Sequence, residues 1–204
     1  MQNKKSCQNC EQEFTIEPDD FTFYQKINVP APTFCWKCRA QRRMAVRNAR
    51  ALNKRTSSLA GKDIFSTYPA YVAFPVYTQE EWFSDVWDPI EYGREYDFSR
   101  PFFEQFRELS NSVPKPAKSA TGGANSEYSN NFTDLKNCYL VFNAEFIEDS
   151  AYCTTANKSN HCFDCTLLEK VELSYENFNM STSRRDIFSH TISACTNILF
   201  SKNL

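Results

Sequence analysis

The sequence has two histidines, four glycines and no run of about 18 apolar residues. Each shortage excludes something. Without such a run no helix spans a bilayer, and the residues after Met1, QNKKSCQNCEQ, are polar where a secretory signal has its apolar core. The chain is expected to be cytoplasmic and to make no membrane contact. Both histidines, His161 and His190, lie late in the chain, so residues 1–126 have no imidazole to activate water beside a metal-bearing helix, as an HNH-type nuclease requires. P-loop, G-x-G-x-x-G, H-E-x-x-H and G-x-S-x-G motifs are missing as well. The expectation is a protein without enzymatic activity and with no evident small-molecule substrate. Leu and Val are sparse and Gly is scarce, against 18 Phe, 10 Tyr and 3 Trp, which predicts a largely aromatic core.

Acid is absent from one stretch. Between Cys35 and Lys62 there are nine lysines and arginines and no Asp or Glu, so the formal net charge of -2 hides an electropositive element and leaves -11 on the rest. From Arg39 to about Lys54 there is no Gly or Pro either, and Ala, Arg and Gln favour a helix. At 100° per residue, Arg39, Arg43, Arg47, Arg50 and Lys54 fall within about 80° of one another, with Arg42 beside them. Like charges at i,i+4 repel, and phosphates would neutralise such a stripe. RNA or DNA is the expected partner of these six residues. The alternatives are an acidic protein, or internal pairing with Asp85, Asp88, Glu91, Glu95 and Asp97.

Nine cysteines is an odd number, so at least one has no partner within the chain. Cys7 and Cys10, then Cys35 and Cys38, give CxxC, 24 intervening residues, CxxC. Each pair supplies two thiolates from one knuckle, and four thiolates complete a tetrahedral Zn2+ site with no position open for a substrate water. A structural zinc is expected, with a reducible pair of disulfides or an iron site as the alternatives. EFTIEP and FYQKINV predict two strands between the pairs, and Cys35 and Cys38 at the start of a helix complete a treble clef.

Further on, Ser99 as N-cap and Pro101 in the first turn predict a helix whose Phe102, Phe103, Phe106 and Leu109 enter the core. Trp82 and Trp87 are expected to pack against it. SVPKPAKSATGGANS (112–126) has the composition of a linker. After it a short unit recurs at Tyr128, Leu140, Tyr152, Asp164, Tyr175, Phe188 and Phe200, in steps of 12, 12, 12, 11, 13 and 12. Short strands separated by Asn, Ser, Thr and Asp at this period predict a β-solenoid, each rung burying its aromatic or aliphatic residue. A β-sandwich with evenly spaced strands is the alternative. Cys153 and Cys165 share one repeat column, and Cys138 and Cys162 another. His161 with Cys153, Cys162 and Cys165 forms a weaker candidate for a second metal. Asp134, Asp149 and Asp164 occupy columns that differ from one another and from the one holding Glu148 and Glu172, which argues against a carboxylate hydrolase acting on carbohydrate or another substrate on the solenoid. The repeat reaches Leu204 without a cap, which predicts a longer natural chain or a covering partner.

The expected organisation is α+β followed by all-β: a four-cysteine zinc domain with its basic helix (1–62), an aromatic connector (63–111), the linker, and a β-solenoid (127–204) that offers a surface for a protein partner. CQNCEQEFTIEPDDFTFYQKINVPAPTFCWKCRAQRR resembles the zinc-ribbon, or treble-clef, domain at the start of many bacterial proteins. With WFSDVWDPIEYGREYDFSRPFFEQFREL and the NCYL repeat, the whole chain resembles a group of zinc-ribbon proteins with cysteine-rich repeats from uncultivated candidate-phylum bacteria. The resemblance carries no activity. It implies a second pair of CxxC pairs, whose places are taken here by Ser57, Ala60, Thr78 and Glu81. None of these is a thiolate ligand, so that segment is expected to hold its fold by aromatic packing alone.

Overall fold

The computed structural model describes residues 3–46 and 48–204, and the chain divides into two compact units, Met1–Asn48 and Ala49–Leu204. No helix among the described residues is long and apolar enough to cross a membrane.

In the first unit β1 (Asn3–Ser6) and β2 (Glu13–Ile16) form an antiparallel hairpin in which Asn3 faces Ile16 and Ser6 faces Glu13. Cys7 and Cys10 lie in its bend. The predicted second strand is instead α1 (Pro18–Lys26). Pro18 sits in its first turn with Asp19 and Asp20, and the Asp20 carboxylate accepts the Glu17 N–H at 3.3 Å. These start signals outweigh the strand propensity of Phe, Tyr, Ile and Val. The next helix, α2 (Trp36–Met44), opens on Cys35 and carries Cys38 in its first turn, as the treble-clef order predicts.

The predicted basic helix to Lys54 is cut short at Met44. Residues 53–56 form β3 (Asn53–Thr56), paired antiparallel with β4 (Asp63–Ser66) in the second unit. Tertiary pairing overrides the helix propensity of this segment, and repeated like charges at i,i+4 weaken its helix further. Residues 49–62, expected within the zinc domain, therefore belong to the second unit. There β5 (Val76–Tyr77) leads into α3 (Gln79–Trp82), and α4 (Phe102–Ser112) follows. Phe102, Phe103 and Phe106 of α4 are 54%, 80% and 55% exposed, so they are surface and not core. Trp82 and Trp87 pack on each other, with ring centroids 4.7 Å apart, and Trp87 also meets Tyr77.

The predicted linker is structured. β6 (Lys115–Pro116) pairs in parallel with β5, and β7 (Ala120–Thr121) pairs with β8 (Asn130–Lys136) as the first coil of the solenoid. Gly122, at φ 64°, turns this coil where a Cβ would lie 2.0 Å from Asp134 Oδ1. From β8 the parallel sheet continues through β9 (Phe142–Glu148), β10 (Thr154–Phe163), β11 (Thr166–Glu169), β12 (Glu172–Tyr175), β13 (Phe178–Ser181) and β14 (His190–Ser193). Partners are twelve residues apart throughout: Asn130 with Phe142, Phe142 with Thr154, Thr154 with Thr166. Twelve residues thus make one full coil of a parallel β-solenoid.

Within each coil the rule is a triplet. Every third residue from Asn131 to Asn203 has φ between 46° and 61°, and the residue after it points inward. Four inward positions per coil leave room for small and medium side chains, and the core is Leu135, Val141, Ala144, Ile147, Leu168, Val171, Met180 and Ile192, with cysteines and serines. The repeat's aromatic residues are outside: Tyr128, Tyr152, Phe188 and Phe200 are 42%, 50%, 40% and 73% exposed. They form ladders on the surface, Tyr128–Tyr139–Tyr152 and Tyr175–Phe188–Phe200. The solenoid core is therefore not the largely aromatic one expected: among the described residues Phe132 is the one ring in its core cluster, because one coil is too narrow to enclose rings at every rung.

Inward serines have a defined task. Ser126, Ser129, Ser150 and Ser159 accept the N–H of Cys138, Val141, Cys162 and Val171, each twelve residues on, at 3.0 to 3.1 Å. Asp186 fills the same role, accepting from Ile198 N at 3.0 Å, but its Oδ2 is buried without a partner. Burial raises its carboxyl above the ordinary aspartate range. The native carboxyl therefore holds its proton to higher pH than the unfolded one, and stability falls as pH rises from about 3.9 through the native value. Asp186→Ser, which restores the ladder residue, is expected to stabilise the second unit by about 1–2 kcal/mol at pH 7. Thermal unfolding at pH 3.5 and 7 should show the gain growing with pH.

Candidate metal centre

The two knuckles bring Cys7, Cys10, Cys35 and Cys38 together, with all four sulfurs within 4.8 Å of one another. Cys10 and Cys35 Sγ are 3.8 Å apart. A tetrahedral site with metal–sulfur bonds of about 2.3 Å has edges of about 3.8 Å, so the four thiols fit one metal ion. Cys7, Cys35 and Cys38 are buried and Cys10 is exposed. Phe14 and Phe34 pack against the cluster.

The surroundings favour negative sulfur. Cys35 N donates to Cys7 Sγ at 3.2 Å, and Asn9 Nδ2 donates to Cys38 Sγ at 3.3 Å. Burial works to raise the Cys7 thiol, but the backbone N–H groups of Cys35, Cys10 and Asn9 outweigh it and bring it down to about 6. At Cys38 the Asn9 amide favours the thiolate, while burial and the three neighbouring sulfurs push the thiol up to about 12. Crowded sulfurs that resist joint ionisation are what a cation relieves.

Of the six predicted nucleic-acid residues, α2 carries Arg39, Arg42 and Arg43, along with Lys37. Among the described residues none of these four pairs with a carboxylate. Arg42 lies over the Phe34 ring, 5.2 Å from its centroid, and Arg39 Nε is buried without a hydrogen-bond partner. Arg47 lies outside the described residues. Arg50 and Lys54 belong to the second unit, where Arg50 bonds the Thr154 hydroxyl and Lys54 pairs with Asp63 at 3.1 Å. Among the described residues, Arg50 and Lys54 therefore do not share a helical stripe with Arg39, Arg42 and Arg43.

The cysteines of the solenoid are inward packing residues. Cys153 Sγ donates to Ala151 and Cys162 carbonyls at 3.3 Å, and Cys162 Sγ to Asn160 O at 3.2 Å. Burial pushes the Cys162 thiol up to about 12. His161 points outward to Asn160 and Asp149, so it does not join Cys153, Cys162 and Cys165. The four N-terminal cysteines are the one metal-competent cluster among the described residues.

The first knuckle has a counterpart in the second unit that holds no cysteine. Cys7 N bonds Gln12 O at 3.0 Å and Glu11 N bonds Cys7 O at 2.9 Å; fifty residues later Ser57 N bonds Lys62 O at 2.8 Å and Gly61 N bonds Ser57 O at 3.1 Å. Glu11 and Gly61 share the same left-handed turn, at φ 61° and 67°. Thr78 opens α3 as Cys35 opens α2, and Glu81 stands where Cys38 stands. The Glu81 carboxylate accepts hydrogen bonds from Ser57 Oγ, from Ala60 N at 3.0 Å and from Thr78 N at 2.8 Å. Aromatic packing is therefore not the only support here: a carboxylate ties the two knuckle halves together.

No family model, curated protein or solved structure matches the chain. The class is therefore set by fold and site alone: a small α/β unit with a metal-competent four-cysteine cluster, followed by a parallel β-solenoid.

Proposed function

We propose that the four cysteines bind one structural Zn2+ and that the protein is a non-enzymatic binding protein, contacting the phosphate backbone of RNA or DNA through α2. The observation that carries this reading is the set of four cations on the helix that holds the last metal ligand, none of them matched by a carboxylate among the described residues. Trp36, 65% exposed at the start of α2, adds a stacking surface for an unpaired base. Four thiolates leave the zinc no open position, so its role is to hold α2 against the hairpin. The outward aromatic ladders of the solenoid support a second surface, for a protein partner.

The test is fluorescence anisotropy of the zinc-loaded chain with single-stranded RNA and duplex DNA. Four phosphate contacts predict a loss of affinity of about a hundredfold between 50 and 200 mM salt. The double variant Arg42→Glu/Arg43→Glu should abolish binding. Absence of binding at 50 mM salt would sink this reading and leave α2 as a structural helix or a protein-docking face.

A further inference from the structure

The exposed side of α2 has a fixed order of chemistry. Trp36, Ala40 and Met44 follow one i, i+4, i+8 row along the helix, about 12 Å from first to last. Trp36 and Met44 are exposed and Ala40 is half-buried. Two cations flank the row: at about 100° per residue, Arg43 lies about 20° to one side of Trp36 and Lys37 about 100° to the other. Both are exposed, and neither pairs with a carboxylate among the described residues. The Cα–Cβ bond of Arg43 is tilted back toward Trp36, as every such bond in a helix is. Arg42 is engaged over the Phe34 ring and Arg39 has its Nε buried, so neither belongs to this row.

An indole this open has no use in a helix that only neutralises a duplex. Such a helix contacts phosphate and sugar, and the bases of a duplex, stacked on both faces, offer Trp36 nothing to lie against except at an end. The Lys37 ammonium is 5.7 Å from the indole centroid, at the outer edge of a cation–π contact, and it leaves Trp36 65% exposed. An unpaired base covers such a ring with its own π face, whatever its identity. It also carries its phosphates to the sides of the row, where Lys37 and Arg43 stand. A lipid surface would meet cations and apolar groups too, but an interfacial helix has a broad apolar face, whereas this row is one residue wide with Arg43 about 20° from its indole.

We propose that α2 selects single-stranded over duplex nucleic acid, one base stacking on Trp36 while Lys37 and Arg43 hold the phosphates beside it. The proposal rests on the phosphate contact assigned to α2 above, and it adds which form of nucleic acid is bound and which residue chooses it.

Fluorescence anisotropy of the full zinc-loaded chain at low salt, with oligo(dT), oligo(rU) and a DNA duplex carrying the same number of phosphates, tests the proposal. Both single strands should bind at least about tenfold tighter than the duplex, and Trp36→Ala should bring them to the duplex value while duplex binding stays unchanged. Trp36→Phe keeps a ring and should restore most of the difference. Arg43→Ala should weaken strand and duplex alike and lower the salt slope by about one. Oligo(dT) should quench tryptophan emission in the wild type and not in Trp36→Phe, since Trp82 and Trp87 lie in the second unit. Trp36 is exposed, and the zinc content of each variant checks that the first unit is intact. Equal affinity for strand and duplex, or strand binding insensitive to Trp36→Ala, would overturn this inference and leave the phosphate contact standing. Absence of binding to any of the three would overturn both, and binding to phosphatidylserine vesicles in their place would make the row a membrane-docking face.

Discussion

Chelation of the proposed zinc is expected to unfold the first unit and leave the second folded. The first unit has almost no apolar core of its own: among its described residues Ile16 and the sulfurs of Cys7, Cys35 and Cys38 are buried, with Phe14 and Phe34 half-buried around them. α1 buries none of its residues, and Trp36, Met44 and Val46 are 65%, 77% and 88% exposed. A unit of this size does not close the gap against chain entropy by burial alone. Structural zinc contributes on the order of 10 kcal/mol or more of apparent binding free energy, which exceeds the stability of most small domains. The second unit has its own core from Phe132 to Ile192 and does not depend on the ion. Adding a strong chelator should therefore release about one equivalent of zinc and make residues 1–48 sensitive to protease while the solenoid stays intact. Cys38→Ser should do the same without chelator, since it removes the ligand that fixes α2. A first unit that stays protease-resistant after the metal is gone would show that the sulfurs merely pack.

The metal cluster was legible in the sequence because a CxxC knuckle is a local signal, and the solenoid was legible because its turn residues repeat. Which side of the coil faces inward was not. A twelve-residue period aligns Tyr128, Tyr152 and Phe188 as well as it aligns Leu135, Ile147 and Val171, and only the cross-section of the coil decides between them. Ring-sized residues are excluded from most of the four inward positions, while serine is admitted because it accepts the backbone N–H one coil ahead. The same kind of nonlocal decision ended α2 at Met44: nothing between Arg39 and Lys54 stops a helix, but Asn53–Thr56 has a strand partner in Asp63–Ser66. Phe102, Phe103 and Phe106 have the spacing of a core face and lie in solvent, so helical periodicity alone does not show that a partner surface exists.

Replacing one oxygen of Glu81 should produce the largest effect of any substitution at the cysteine-free knuckle. The carboxylate uses Oε2 for Ser57 Oγ and Thr78 N and Oε1 for Ala60 N, so it joins the hairpin bend to the start of α3 where the first unit uses four sulfurs. Thr78 Oγ1 returns a bond by accepting Glu81 N at 3.1 Å, which fixes the first turn of α3. In Glu81→Gln the amide nitrogen cannot accept, so at least one donor loses its partner and the charge-assisted character of the others is lost; a cost of about 2–3 kcal/mol follows. The pH dependence identifies the cause. Burial would raise the Glu81 carboxyl, but the bonds from Ser57, Thr78 and Ala60 and the charge of Lys62 outweigh it and hold it below the ordinary glutamate range. A depressed native value means that the stabilisation is present above about pH 4.3 and disappears as pH falls through the native value. Urea unfolding of the second unit at pH 7, 5 and 3 should therefore show wild type well ahead of Glu81→Gln at the first two and the gap narrowing at the third. A gap that is constant with pH would mean that the side chain acts by shape, and that the knuckle is held by the neighbouring Tyr77 and Trp87 rings, 5.8 Å apart, instead of by its charge.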